Sequence, residues 1–143
     1  MRRGAALAGA ALLLAGCGGG RLSHGAFVRR ADAVCSAYAD TVSLLTRPRS
    51  FAAVQSYVER TLPLYLSALD RLQALKPPRR DEPAVRTWLA ADRKVVTALR
   101  NLRAAALRHD LAATNDASNA LQAASLAARR AAGDVGLEVC ATP

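Results

Sequence analysis

Residues 83–106 read PAVRTWLAADRKVVTALRNLRAAA. Val85, Trp88, Leu89, Val95, Leu99, Leu102 and Ala106 recur at three- and four-residue spacings, which places them on one face of an α-helix. Pro83 suits the first turn of a helix, where its missing N–H is no loss, and Asp81 and Glu82 just before it complement the positive end of the helix dipole. The alternating pattern of a half-buried strand is absent here and elsewhere in the chain. A long amphipathic helix is the prediction for this stretch.

The flanking sequence repeats that pattern. From His24 to Leu45 the apolar stripe is Phe27, Ala31, Val34, Cys35, Tyr38, Val42 and Leu45, and Arg47-Pro48-Arg49 stops it. Ser50 is placed as the N-cap of a second helix, Phe51 to about Leu75, with Val54, Val58, Leu62, Tyr65, Leu69 and Leu72 inward. Pro63 falls inside it and is expected to kink the helix rather than end it, because the apolar spacing continues on both sides. Pro77-Pro78 ends it. Asp110 reads as the cap of a fourth helix with a weaker stripe, Leu111, Thr114, Ala117, Leu121, Ser125 and Ala128, closed by Gly133 and Gly136. Four helices of similar length joined by short connections predict an all-α, antiparallel up-down-up-down four-helix bundle over residues 24–143. With 52% hydrophobic but only 4% aromatic residues, its core must be aliphatic and rich in alanine.

The N-terminus has a different character. Arg2 and Arg3 precede an uncharged apolar run, Ala5 to Gly16, too short for the ~20 residues a membrane span needs but suited to a secretory leader. Leu14-Ala15-Gly16-Cys17 resembles a lipobox, the cleavage signal of bacterial lipoproteins. That resemblance implies that residues 1–16 are a signal peptide and that Cys17 becomes the lipidated first residue of the mature chain. It also implies a cell-membrane location on the extracytoplasmic side. Residues 17–23 are then the lipidated cysteine and a Gly-rich tether. Six residues, Gly18 to Ser23, reach about 20 Å when extended, so the bundle is held close to the membrane.

With Cys17 acylated, Cys35 and Cys140 remain as an even pair in an oxidising compartment. In an up-down bundle the end of the fourth helix lies beside the start of the first, within reach of a Cys35–Cys140 disulfide. Such a bridge closes a loop of about 100 residues and contributes about 4–5 kcal/mol in the chain-entropy treatment. The alternative, a nucleophilic free thiol, has no histidine placed to activate it. Ala31-Asp32-Ala33-Val34-Cys35 and Gly136-Leu137-Glu138-Val139-Cys140 are also similar to small uncharacterised helical lipoproteins of high-GC bacteria. That likeness implies a secreted helical domain closed by one disulfide, and it brings no established activity with it.

Catalytic and metal patterns are missing. The two histidines, His24 in the tether region and His109 in the third connection, supply no metal set, and no metal or other cofactor is expected. Glu59, Glu82 and Glu138 lack the Glu-x-x-His spacing of di-iron bundles, and Met1 is the sole methionine, lost with the leader. Hydrolase, P-loop and dinucleotide motifs are absent, so the chain is expected not to be an enzyme. Asp92 interrupts the apolar stripe between Trp88 and Val95 and is expected to be paired with an arginine or a tyrosine hydroxyl. Trp88, Tyr38, Tyr57 and Tyr65 are expected to be core.

Charge is unevenly spread. The formal +9 falls to +7 without Arg2 and Arg3, and residues 76–108 carry nine basic side chains against three acids. Arg86, Arg93 and Arg100 recur every seventh residue with Arg103 beside them, a basic line on the third helix. One reading is a solvated face. The other is contact with an anionic lipid surface, an acidic envelope polymer or an acidic protein. Nucleic acid is not an expected partner, since no aromatic platform accompanies the arginines. The sequence thus points to a membrane-anchored domain with a binding or structural role at the cell envelope. The second functional reading is a carrier of a small apolar ligand, using a pocket in the bundle beside Pro63.

Overall fold

The computed structural model describes residues 20–142. Four α-helices follow in order: α1 (His24–Ser43), α2 (Phe51–Gln73), α3 (Glu82–Leu107) and α4 (Leu111–Val135), with a short 3₁₀ turn, Arg79–Asp81, leading into α3. They form the expected helical bundle, and among the described residues there is no strand. The expected leader and Cys17 lie outside the described residues.

Local chemistry accounts for most of the helix boundaries. The Ser23 hydroxyl accepts from the Ala26 N–H at 3.3 Å and opens α1, while Asp110 accepts from the Ala113 N–H at 2.9 Å and opens α4. Each occupies a backbone donor that the first helical turn leaves unpaired. Ser50 stands at the N-cap of α2 as expected, but its side chain makes no capping bond. Pro83 lies in the first turn of α3. α2 runs without interruption through Pro63. α4 passes Gly133 and stops at Gly136, whose φ of 88° is left-handed. There the Leu137 N–H returns to the Ala132 carbonyl and the Gly136 N–H to that of Gly133, the bond pair of a Schellman cap. The hydrophobic contact that accompanies such a cap is present too, since Leu137 and Ala132 are buried in one cluster.

Two apolar clusters make the core. One, at the end where the chain enters, joins Phe27, Ala31, Val34, Leu72, Val85, Trp88, Ala132, Val135 and Leu137. The other joins Val58, Val95, Leu99, Leu102 and Ala128. Both clusters and the disulfide lie within residues 20–142, which therefore carry an apolar core of their own. Asp92 falls between them, because it separates Trp88 from Val95 on the buried stripe of α3.

The seams between helices are unequal. α3 and α4 pack most extensively, α2 packs on α3, and α1 on α2, whereas α1 and α4 share no comparable seam. Alanines explain the first of these: Ala98, Ala105, Ala106, Ala128 and Ala132 are all buried and allow close approach. The C-terminal segment spans the weak seam. Cys140 is bonded to Cys35, with 5.3 Å between their Cα atoms. Beside it the Asp32 carboxylate accepts from the N–H groups of Glu138, Val139 and Cys140 at 3.1, 2.9 and 3.1 Å.

The chain's entry is also tied down. Arg21, Leu22 and Ser23, expected to belong to the tether, are instead part of the domain. The Leu22 N–H donates to the Lys76 carbonyl at 2.8 Å, and Arg21 pairs with Glu82 and donates to the Pro77 carbonyl. His24 is the first residue of α1, where the helical spacing placed the start of that helix, and its Nδ1 lies 2.8 Å from Asp81 Oδ2.

Candidate functional site

Where α1 fails to close on α4, the bundle keeps a cavity of about 360 Å³, partly open to solvent. Every helix contributes to its wall. α1 supplies Cys35, Tyr38, Ala39 and Val42, and α2 supplies Tyr57, Thr61 and Tyr65. α3 adds Asp92, Val95 and Leu99, while α4 adds Leu121, Ser125, Ala128 and Arg129. Val139, Cys140 and Thr142 of the C-terminal segment complete it. The volume has a cause in the sequence. Ala39 on α1 and Ser125 and Ala128 on α4 are small, so nothing from either side fills the space that a leucine pair would occupy. Thr61 and Tyr65 line the cavity from one face of α2, whereas Pro63 between them is exposed and is not part of the wall, so the pocket does not lie beside that proline.

The wall is mainly apolar, with a few polar side chains among the lining residues. The Tyr65 hydroxyl donates to Asp92 Oδ1 at 2.6 Å, and the Tyr38 ring meets the Tyr65 ring edge-on with centroids 5.4 Å apart. Asp92 Oδ2 is buried and has no hydrogen-bond partner in the protein, and the residue as a whole is only 7% exposed. Among the described residues no cation pairs with this carboxylate, although Arg129 lines the same cavity from α4. Burial raises the Asp92 pKa from 3.8 to about 6, with the Tyr65 hydrogen bond pulling the other way. Burial also pushes Tyr38 up to about 12, and it raises Tyr65 further, helped by the Asp92 charge. Both hydroxyls therefore stay protonated as donors at physiological pH.

Asp92 thus has the tyrosine partner its position suggested, but on one oxygen only. Tyr38, Tyr57 and Tyr65, expected in the core, are cavity walls, whereas Trp88 is core as expected. The only signal for this in the sequence was the run of small residues on α4 opposite large ones on α1 and α2. The arginines are elsewhere. Arg86, Arg93 and Arg100 are exposed along α3, about 10 Å apart by the helical rise, and pair with no acid among the described residues. Arg103 is turned toward α2, 3.5 Å from Glu59. A wider furrow of about 430 Å³ crosses the outside of α3 and α4 between Asn101, Ala104, Arg108, Asp116 and Ala120, but it is broadly open to solvent and offers no enclosed surface.

His109 takes φ 54° in the turn from α3 to α4, and its ring lies 6.3 Å from that of Phe51. Among the described residues no three His, Cys, Asp or Glu side chains gather in a way that could hold a metal ion. No described helix is long and apolar enough to cross a membrane. Compared with protein-family models, curated proteins and solved structures, the chain finds no match.

Proposed function

We propose that this chain is a membrane-tethered, extracytoplasmic binding domain that carries a small, mainly apolar molecule between its helices. The observation that supports this most strongly is the cavity of about 360 Å³, partly open to solvent. Ligand sites of small molecules run from roughly 300 to 1,000 Å³ and combine apolar walls with a few fixed polar groups. A domain serving only as a spacer or a docking face gains nothing from such a void, since every unfilled contact costs packing energy. The lipobox resemblance of Leu14 to Cys17 supports the tethered location.

The test is direct. N-Phenyl-1-naphthylamine, an apolar dye that brightens in apolar surroundings, should bind the domain from Gly20 onward with one site per chain. Ser125→Phe, which fills the cavity from α4, should abolish the signal without unfolding the bundle. Unchanged binding by that variant would refute the cavity as the site.

A second reading concerns the outer face of α3, and the exposed, unpaired Arg86, Arg93 and Arg100 favour it. With Arg21 to Ser23 docked against the start of α3, the Arg86 end of this line lies nearest the tether, and Arg93 and Arg100 reach the headgroups when α3 lies along the surface. Each contributes about 1 kcal/mol near an anionic leaflet. The two readings are compatible, one on the outside of the bundle and one within it.

A further inference from the structure

We propose that the molecule carried in the cavity bears a protonated primary or secondary amine, which donates a hydrogen bond to the Asp92 carboxylate while its apolar part lies along Val95, Leu99 and Leu121. The inference rests on the carrier reading and names its ligand class.

Three observations carry it. First, Asp92 lines the cavity, yet Oδ2 lacks any protein partner at 7% residue exposure. A buried acceptor left unpaired costs free energy, and a charged one costs more. Second, the protein leaves the charge uncompensated, since Tyr65 supplies one neutral donor to Oδ1 and no lysine or arginine bonds to this carboxylate among the described residues. A ligand hydroxyl would satisfy the hydrogen bond alone, whereas an ammonium satisfies the bond and the charge together. Third, the lining that includes Asp92 is rich in tyrosine. Tyr38 from α1 and Tyr57 and Tyr65 from α2 stand in the same wall, and ring faces attract an organic cation. Val95, Leu99 and Leu121 then give the ligand's hydrocarbon a place to be buried.

The titratable groups around the site are Tyr38, Tyr57, Tyr65 and Arg129, together with Asp92 itself. Neither Tyr38 nor Tyr65 ionises in the physiological range, whereas Asp92 changes charge there. Amine binding should therefore weaken as pH falls through about 6.

The experiment compares n-octylamine, n-octanol and n-octanoate by calorimetric titration into the domain from Gly20 onward at pH 8 and pH 5. At pH 8 octylamine should bind at least about tenfold more tightly than octanol, octanoate should bind least, and the amine's advantage should shrink at pH 5. Asp92→Asn should bring amine and alcohol to equal affinity. The pH comparison uses the unaltered protein, so the test survives if that variant folds poorly. Equal affinities for all three ligands at pH 8 would leave the carrier reading standing and overturn the amine. Tightest binding of octanoate, through Arg129, would overturn it as well. Binding of none would overturn both.

Discussion

The Tyr65 hydroxyl donates to Asp92 Oδ1 across 2.6 Å, and the second oxygen of the same carboxylate has no partner in the protein. This half-satisfied pair divides the core into two apolar clusters and lies at the wall of the cavity. Such a pair is asymmetric in its energetics. Tyr65→Phe removes the one donor and should destabilise the domain by about 1–3 kcal/mol. Combining it with Asp92→Leu should recover most of that loss, because an apolar pair leaves nothing buried and unpaired. Urea unfolding of both variants checks this. A double variant as unstable as Tyr65→Phe alone would show that packing, not polarity, dominates.

The same carboxylate makes stability depend on pH in a particular direction. Its folded pKa of about 6 lies above the ordinary 3.8, so the folded state holds the proton more tightly than the unfolded one. The associated stability is complete below about pH 4 and is lost as pH rises through 6, a change on the order of 3 kcal/mol. Asp92→Asn leaves every other ionisable group of the chain in place. The quantity to measure is therefore the difference between wild type and Asp92→Asn at pH 4 and pH 7. Wild type should lose stability relative to the variant over that interval, and a difference that does not vary with pH would contradict the assignment.

Cys35 and Cys140 should act as one unit. Replacing either by serine should lower Tm about as much as replacing both, with a loss of about 4–5 kcal/mol at most. Additive losses would mean that the two residues contribute separately.

Asp32 should be the clasp of the C-terminal segment, since its carboxylate accepts from three successive backbone N–H groups, Glu138 to Cys140. Asp32→Ala should speed amide hydrogen exchange at those three residues far more than in α3, and cost about 1–3 kcal/mol. Because Val139 and Cys140 line the cavity, the same variant should loosen ligand binding. Unchanged exchange at 138–140 would remove Asp32 from this role.

The architecture was readable in the sequence because it depends on period and punctuation. Spacings of three and four drew the helices, Asp110 and Gly136 marked ends through their own chemistry, and the up-down order brought Cys140 to Cys35. The cavity was not readable in that way. Periodicity says that Tyr38, Val42 and Tyr65 point inward, but not whether a neighbour fills the space they face. That depends on how far α1 stands from α4, a distance that no local pattern encodes. Leu111 shows the same limit from the other side. It belongs to the α4 stripe by spacing yet is 61% exposed, because the first turn of α4 lies at the bundle's end. The docking of Arg21 to His24 was missed for a related reason, since it rests on partners between Lys76 and Glu82, remote in sequence.

The anchor should be visible in the native host. Wild-type protein should partition into detergent with lipid mass on Cys17, and Cys17→Ser should leave an uncleaved precursor without it. A mature wild-type chain carrying no lipid there would remove the tether from the account.

The cavity is the centre of the account, and methyl-resolved NMR bears on it most directly. N-Phenyl-1-naphthylamine titrated into the domain should shift the methyl signals of Val42, Val95, Leu99 and Leu121, which line the cavity. Those of Val85 and Leu72, in the other cluster, should stay in place. Shifts that instead fall on exposed methyls such as Leu44 and Leu107, with the cavity set unmoved, would contradict it.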